Sequence, residues 1–195
     1  MTAADRAGAR PVTTAATIRR LRPSDYGTVI AVIDEWWGGR PMSDMLPRLF
    51  FEHFADTSFA ADRAGTLTGF LVGFLSQSQP GEAYIHFVGV RPGQRGQGLG
   101  RRLYEAFFEA ASARGCTVVR AVTAPVNTGS VAFHRRMGFS VEPRQAARDG
   151  IPVAADYDGP GRDRVRFVKH LHADEGDGLL RERAMPLRGL PGDPA

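Results

Sequence analysis

One cysteine, Cys116, and one lysine, Lys169, stand in a chain of 195 residues. A single thiol excludes any disulfide within the chain, so a reducing, intracellular setting is expected. Apart from Lys169, every one of the 25 basic side chains is arginine, and the net charge is +4. These arginines are scattered through helical and strand-like segments and form no single stripe. The basic balance therefore reads as compositional bias, and nucleic acid is not an expected partner. Long apolar runs are also missing. The longest, "FLVGFL" (Phe70 to Leu75), is strand-sized, far short of the ~18 residues that suggest a membrane span. The N-terminus lacks the apolar middle of a signal peptide. The expectation is a cytoplasmic protein without a membrane partner.

What remains is 43% hydrophobic, enough for one compact domain. Residues 1–16 show no periodicity and are expected to be disordered, as are the last residues, 172–195. Between them, 17–171 reads as one α/β domain. "TIRRL" (17–21) is a strand and "RPSDYGTVIAVIDEWW" a helix, with Val29, Ile30, Val32 and Ile33 on its apolar face. "SDMLPRLFFEHFAD" follows as a second helix despite Pro47. "SFAAD" and "LTGFLVGFLS" form a hairpin, and "AYIHFVGV" a central strand. After a further helix come "TVVRAVT" as a buried strand and "SVAFHRRM" as a short helix closed by Gly138. Residues 142–162 read as an irregular insertion, and "RVRFVKHL" as the last strand. A last strand at a sheet edge makes a homodimer an expectation.

The stretch "VRPGQRGQGLGRRLYE" (Val90 to Glu105) departs from ordinary helix-opening chemistry. Four glycines and four arginines lead into and open a good amphipathic helix in which Leu99, Leu103, Phe107 and Ala110 share a face. Glycine is a poor helix former, and arginine opposes the positive helix end. Both become favourable when an anion docks there: the first N–H groups of a helix are unpaired, glycine admits close approach, and guanidinium binds phosphate strongly. The motif lacks the Gly-Lys-Ser/Thr ending of a P-loop. Its Gly-x-Gly-x-Gly spacing and mid-chain position also weaken a dinucleotide reading.

The stretch "VGVRPGQRGQGLGRRLYEAFFEAA", followed by "NTGSVAFHRRMGF", resembles the acyl-CoA-binding core of the GNAT acetyltransferase superfamily. The resemblance implies an α/β fold: a mixed central sheet of about six to seven strands, about four flanking helices, and splayed central parallel strands. It implies acetyl-CoA as donor and a primary amine, of a small molecule first, as acceptor. Acetylation of protein N-termini or lysines, and a degenerate acyl-CoA sensor, are the alternatives. Backbone N–H groups from Arg95 through Gly96, Gln97, Gly98, Leu99 and Gly100 to Arg101 would cradle the pyrophosphate. Val88 and Val90 would line the pantetheine arm, with the N–H near Val88 facing the thioester carbonyl. Asn127, Ser130 and Phe133 belong to the second motif. Asn127 would bind pantetheine, or simply cap its helix.

His134 stands where many members carry a tyrosine that protonates the departing thiolate. Histidine is chemically able to do this, but Tyr157 and Tyr104 remain alternatives. His86, on the central strand with Tyr84 and Val88 on its face, is the candidate base, and Glu35 its rival. In "EWWGGR", adjacent Trp36 and Trp37 point in different directions on a helix, so one is expected to reach a cleft. Trp36, Trp37, Arg40 and Tyr157 are candidate acceptor-site residues, with Arg40 pairing with Glu35 or with substrate. Asp156, Asp158 and Asp163 could attract a cationic amine. Cys116, at the start of a buried strand, reads as a core residue, which favours direct transfer over an acyl-enzyme.

Overall fold

The computed structural model describes residues 15–171. The leading and trailing segments, where disorder is expected, lie outside the described residues, except that Ala16 is buried in the core. Strand β1 (Thr17–Arg20) is followed by α1 (Asp25–Trp36), α2 (Leu49–His53), β2 (Phe59–Arg63), β3 (Thr66–Leu75) and β4 (Glu82–Val90). Then come α3 (Leu99–Ser112), β5 (Val118–Thr123), α4 (Thr128–Arg136) and β6 (Ser140–Val141). A two-residue hairpin, β7 (Ala147–Arg148) and β8 (Ile151–Pro152), precedes β9 (Val165–His170). No helix among the described residues is long and apolar enough to cross a membrane.

Seven strands form one mixed sheet in the order β1-β2-β3-β4-β5-β9-β6. The β4–β5 pair is parallel and its neighbours are antiparallel. The last strand, β9, is therefore internal, flanked by β5 and β6. The edge strand that suggested a dimer is not an edge. The expected second helix is also broken. Pro47 removes an N–H and excludes its predecessor from helical torsions. Leu46 accordingly sits at φ −130° and ψ 66°, and only two 3-10 turns (Ser43–Met45 and Ala55–Thr57) and the five residues of α2 survive.

Two cores sandwich the sheet. One gathers α3 and α4 over Ala83, Ile85, Val119 and Phe167; the other gathers α1 and α2 over Phe70, Val72 and Phe87. Strand β4 serves both because it carries a bulge. Val72 pairs with Phe87, but the next residue, Gly73, pairs with Ile85, which leaves His86 as an extra residue. Side chains alternate along a strand, so the insertion reverses the alternation. Ala83 and Ile85 face α3, whereas Phe87 faces α1. His86 stacks on Phe50 of α2 and Val88 packs against the α3 side, so the expected sharing of a face by His86 and Val88 does not hold.

The bulge also ends the parallel pairing. β4 meets β5 only from Glu82 to Ile85, opposite Val118 to Ala121. Beyond Ile85 the strands part, leaving the edge of residues 86–90 without a strand on the β5 side.

Candidate active site

The N–H of Arg91 donates to Thr68 O at 2.9 Å on the β3 side. Antiparallel pairs alternate in hydrogen bonding, so Val88 and Val90 turn their N–H and C=O groups toward the gap. At the end of that gap α3 begins. Gly98, its N-cap, has φ +77°, a left-handed conformation that costs other L-residues ~1–2 kcal/mol. An added Cβ there would meet nothing within 4 Å. Among the described residues no acceptor meets the N–H groups of residues 96–101. The Arg95 N–H is not part of that set, since it donates to Pro92 O at 3.2 Å. Six free amides at the positive end of a 14-residue helix make a fitting seat for a diphosphate.

A cleft of about 890 Å³ runs from this seat along the free edge of β4, between α4 and the end of α1. Val88, Val90, Arg95, Gly96, Gly98, Leu99, Gly100 and Arg101 line it, and so do Asn127, Ser130 and Phe133. Gln97 does not: its side chain lies 3.4 Å from Gly93 O and 3.4 Å from the Arg63 guanidinium. Trp36, Trp37 and Arg40, expected at an acceptor pocket, border this same cleft. Trp36 is 3% exposed and both indoles pack near Phe70. Trp37 lies so close to β4 that a Cβ on Gly89 would come within 2.8 Å of its ring.

The arginines divide their labour. Arg95 donates through Nε to Val90 O at 3.0 Å and through a terminal nitrogen to Trp36 O at 2.5 Å. It thus ties the end of α1 to the end of β4 and is not itself aimed at an anion. Arg91 donates to Leu67 O and lies over the Trp36 ring. Arg101 lines the cleft, joined by Arg136 of α4, which the sequence reading missed. Its place in "FHRRMGF", one turn from Phe133, was the available signal.

Asn127 both caps and lines. Its Oδ1 accepts from the Ser130 N–H at 3.2 Å, while its amide nitrogen has no acceptor among the described residues. His134, 4% exposed, is held on all sides. Its Nδ1–H donates to Ser130 O at 2.9 Å, and it stacks on Phe167 at 4.2 Å. That tautomer leaves Nε2 as an acceptor, 3.0 Å from the Tyr104 hydroxyl. Both residues line the cleft. Burial pushes the Tyr104 phenol upward, so it stays protonated, and pushes His134 below its ordinary 6.5.

His86 lies on the other side of the sheet. Its Nε2–H donates to Met45 O at 2.8 Å, so the lone pair is on Nδ1, and burial lowers its pKa. Glu35 is exposed on the outer side of α1, and neither Glu35 nor His86 lines the cleft. It does not pair with Arg40, which instead turns to Trp37 O at 3.3 Å. Cys116 is buried and its thiol is pushed upward, the reverse of an activated nucleophile. Among the described residues, no three His, Cys, Asp or Glu side chains cluster as a metal site would need.

Two histidines with lowered pKa, His134 buried and His86 half-buried, give stability a defined pH dependence. The unfolded chain takes up protons near 6.5, where the folded chain does not. Stability is therefore complete above that pH and falls below it, until the folded pKa values are reached. Tm is expected to decline from about pH 6.5 to about pH 5, before carboxylates titrate. A flat Tm across that window contradicts the neutral buried state.

A diphosphate seat at a helix end, opening onto a parted pair of parallel strands, defines a transferase of the acyl-CoA class. The chain belongs to the Acetyltransferase (GNAT) family, whose model matches residues 18–139. It is an N-acetyltransferase with acetyl-CoA as donor. The L-methionine sulfoximine/L-methionine sulfone acetyltransferase of Pseudomonas aeruginosa is 29% identical over 139 residues, covering 65% of this chain and 81% of that protein. The L-2,4-diaminobutyric acid acetyltransferase of Shouchella clausii is 32% identical over 89 residues, covering 46% of this chain and 50% of that protein. In fold, Ard1 from Thermoplasma volcanium superposes with a TM-score of 0.65 at 19% identity, over 82% of this chain and 100% of that one.

Proposed function

We propose that this enzyme passes the acetyl group directly to the nitrogen of a small primary amine while both substrates are bound. One observation carries the reading: the edge of β4 is left free from His86 to Val90, between the amides of α3 and the imidazole of His86. Acetyl-CoA supplies an activated acyl group on a thiol leaving group. Residues 96–101, with Arg101 and Arg136, hold the diphosphate, and Val88 with Asn127 holds the pantetheine arm. The Val88 N–H stabilises negative charge on the acyl oxygen. His86, neutral at pH 7 with Nδ1 free, takes the proton from the attacking amine. The Tyr104 hydroxyl, whose proton rests on His134 Nε2, turns that proton to the departing sulfur. The relatives act, by name, on methionine sulfoximine, methionine sulfone and diaminobutyric acid, which supports a small acceptor over a protein one.

The test is release of CoA across a panel of small amines. His86→Gln is expected to lower kcat by about 100-fold with acetyl-CoA affinity unchanged. A wild-type rate in this variant removes His86 from the reaction. Absence of CoA release with every amine, in protein that binds acetyl-CoA, overturns the transfer reading.

A further inference from the structure

A second cavity of about 380 Å³ lies on the α2 side of the sheet, over β4, β5 and β9. Its size falls within the ~300–1,000 Å³ of small-molecule sites. Its lining includes Ala121 and Val122 of β5, at the point where that strand leaves β4. It also includes Tyr84, two residues and roughly 7 Å along β4 from His86 on the same side of the sheet. The cavity therefore begins two residues from His86 along the same side of β4, although His86 itself does not line it.

Its chemistry is ionic on one wall and aromatic on the others. Arg120 grips Glu82 with two hydrogen bonds, of 2.7 and 2.8 Å, and also reaches Glu142. Glu142 further receives Arg144 at 2.6 Å and Arg166 at 3.2 Å. Three guanidiniums thus meet two carboxylates, an excess of one positive charge. The adjacent Arg164–Asp158 pair, at 2.6 Å, is balanced. The surplus belongs to Arg166. It touches Glu142 only through Nε, and no acceptor among the described residues meets its terminal nitrogens. Its guanidinium lies over the Tyr157 ring at 5.5 Å, and both residues line the cavity. Arg166 pairs with Val122 across the β5–β9 register, one residue beyond Ala121, the last β5 residue paired with β4.

We infer that this cavity is the acceptor site and that it selects amines bearing a carboxylate, with Arg166 as the group that recognises the carboxylate. The inference rests on the acetyl transfer proposed above. A planar guanidinium with two free parallel N–H donors matches a carboxylate. The aromatic walls formed by Phe74, Tyr84 and Tyr157 take the carbon skeleton, and the amine lies toward His86. Glu82 is excluded as the amine's partner because Arg120 already occupies both its oxygens and holds its carboxyl below the usual range. A protein N-terminus carries no carboxylate beside its amine and leaves Arg166 unmatched.

The experiment compares matched pairs by CoA release: L-lysine with cadaverine, L-phenylalanine with phenethylamine, and L-leucine with isoamylamine. The acid is expected to exceed its decarboxylated partner in kcat/KM by about tenfold or more. Arg166→Gln should erase that preference through KM, leave the acetyl-CoA Kd in place, and be partly rescued by Arg166→Lys. Equal use of both partners, or a preference that survives Arg166→Gln, overturns the inference while leaving the transfer reading intact. If no pair releases CoA, the N-acetylated amino acids are titrated by calorimetry. Heat seen with the wild-type protein and lost in Arg166→Gln supports the cavity although the transfer reading fails. No heat overturns the inference as well.

Discussion

Gly98→Glu abolishes acetyl-CoA binding in a calorimetric titration, raising Kd at least ~100-fold, or about 2.7 kcal/mol. Two costs act together. Gly98 sits at φ +77°, and a residue with a Cβ must either bear that strain or withdraw the first turn of α3. The new carboxylate then stands among the amides of residues 96–101, in the open space the diphosphate fills. Like charges a few Å apart repel by ~1–4 kcal/mol at surface dielectric. Gly98→Ala separates the terms, since it carries the strain without the charge, and is expected to weaken binding only by about tenfold. Thermal melts distinguish a lost site from a lost fold. Retained affinity in Gly98→Glu removes the helix end as the phosphate seat.

Tyr104→Phe is expected to lower kcat by about 100-fold while the acetyl-CoA Kd moves no more than about threefold. The phenol is fully buried, and its one polar contact is His134 Nε2 at 3.0 Å. Because Nδ1–H of His134 is committed to Ser130 O, the neutral imidazole has no proton to offer the cleft. The hydroxyl carries one, which rests on Nε2 and reaches the sulfur only by turning away from it; burial keeps that proton on the phenol at neutral pH. Deleting it removes the donor to the sulfur and leaves a buried lone pair unsatisfied, which also costs ~1–3 kcal/mol of stability. A fall in Tm with kcat intact assigns the pair to folding alone. His134→Ala is less clean, since it also removes the stack on Phe167.

Local chemistry carried most of what was legible in advance. The glycine-rich helix start, the "NTGSVAFHRRMGF" helix and their order along the chain predict the cleft because each reports a short-range constraint: a positive φ, a cap, a helix stop. Misreadings gathered where distant residues decide. The bulge at His86 is invisible to a count of alternating residues, since nothing in "YIHFVGV" marks which residue loses its partner. Glu35 seemed close to the site because its neighbours Trp36 and Trp37 are, yet one step along a helix turns a side chain by 100°. Arg95 holds the motif's position but spends its side chain on carbonyls 5 and 59 residues away. The second cavity draws on four segments that only the sheet register brings together.

A strand keeps its two sides by counting in twos, and β4 is one residue out of step. Its first half and its second half therefore obey opposite parities, and a single residue, His86, is the place where the count changes. Substituting that residue alters one side chain. Removing it alone would restore even counting with Phe87 and Gly89 still facing α1 and Val88 and Val90 still facing α3, and would take away the irregularity at which β4 parts from β5. Length at this position is thus a stricter requirement than identity.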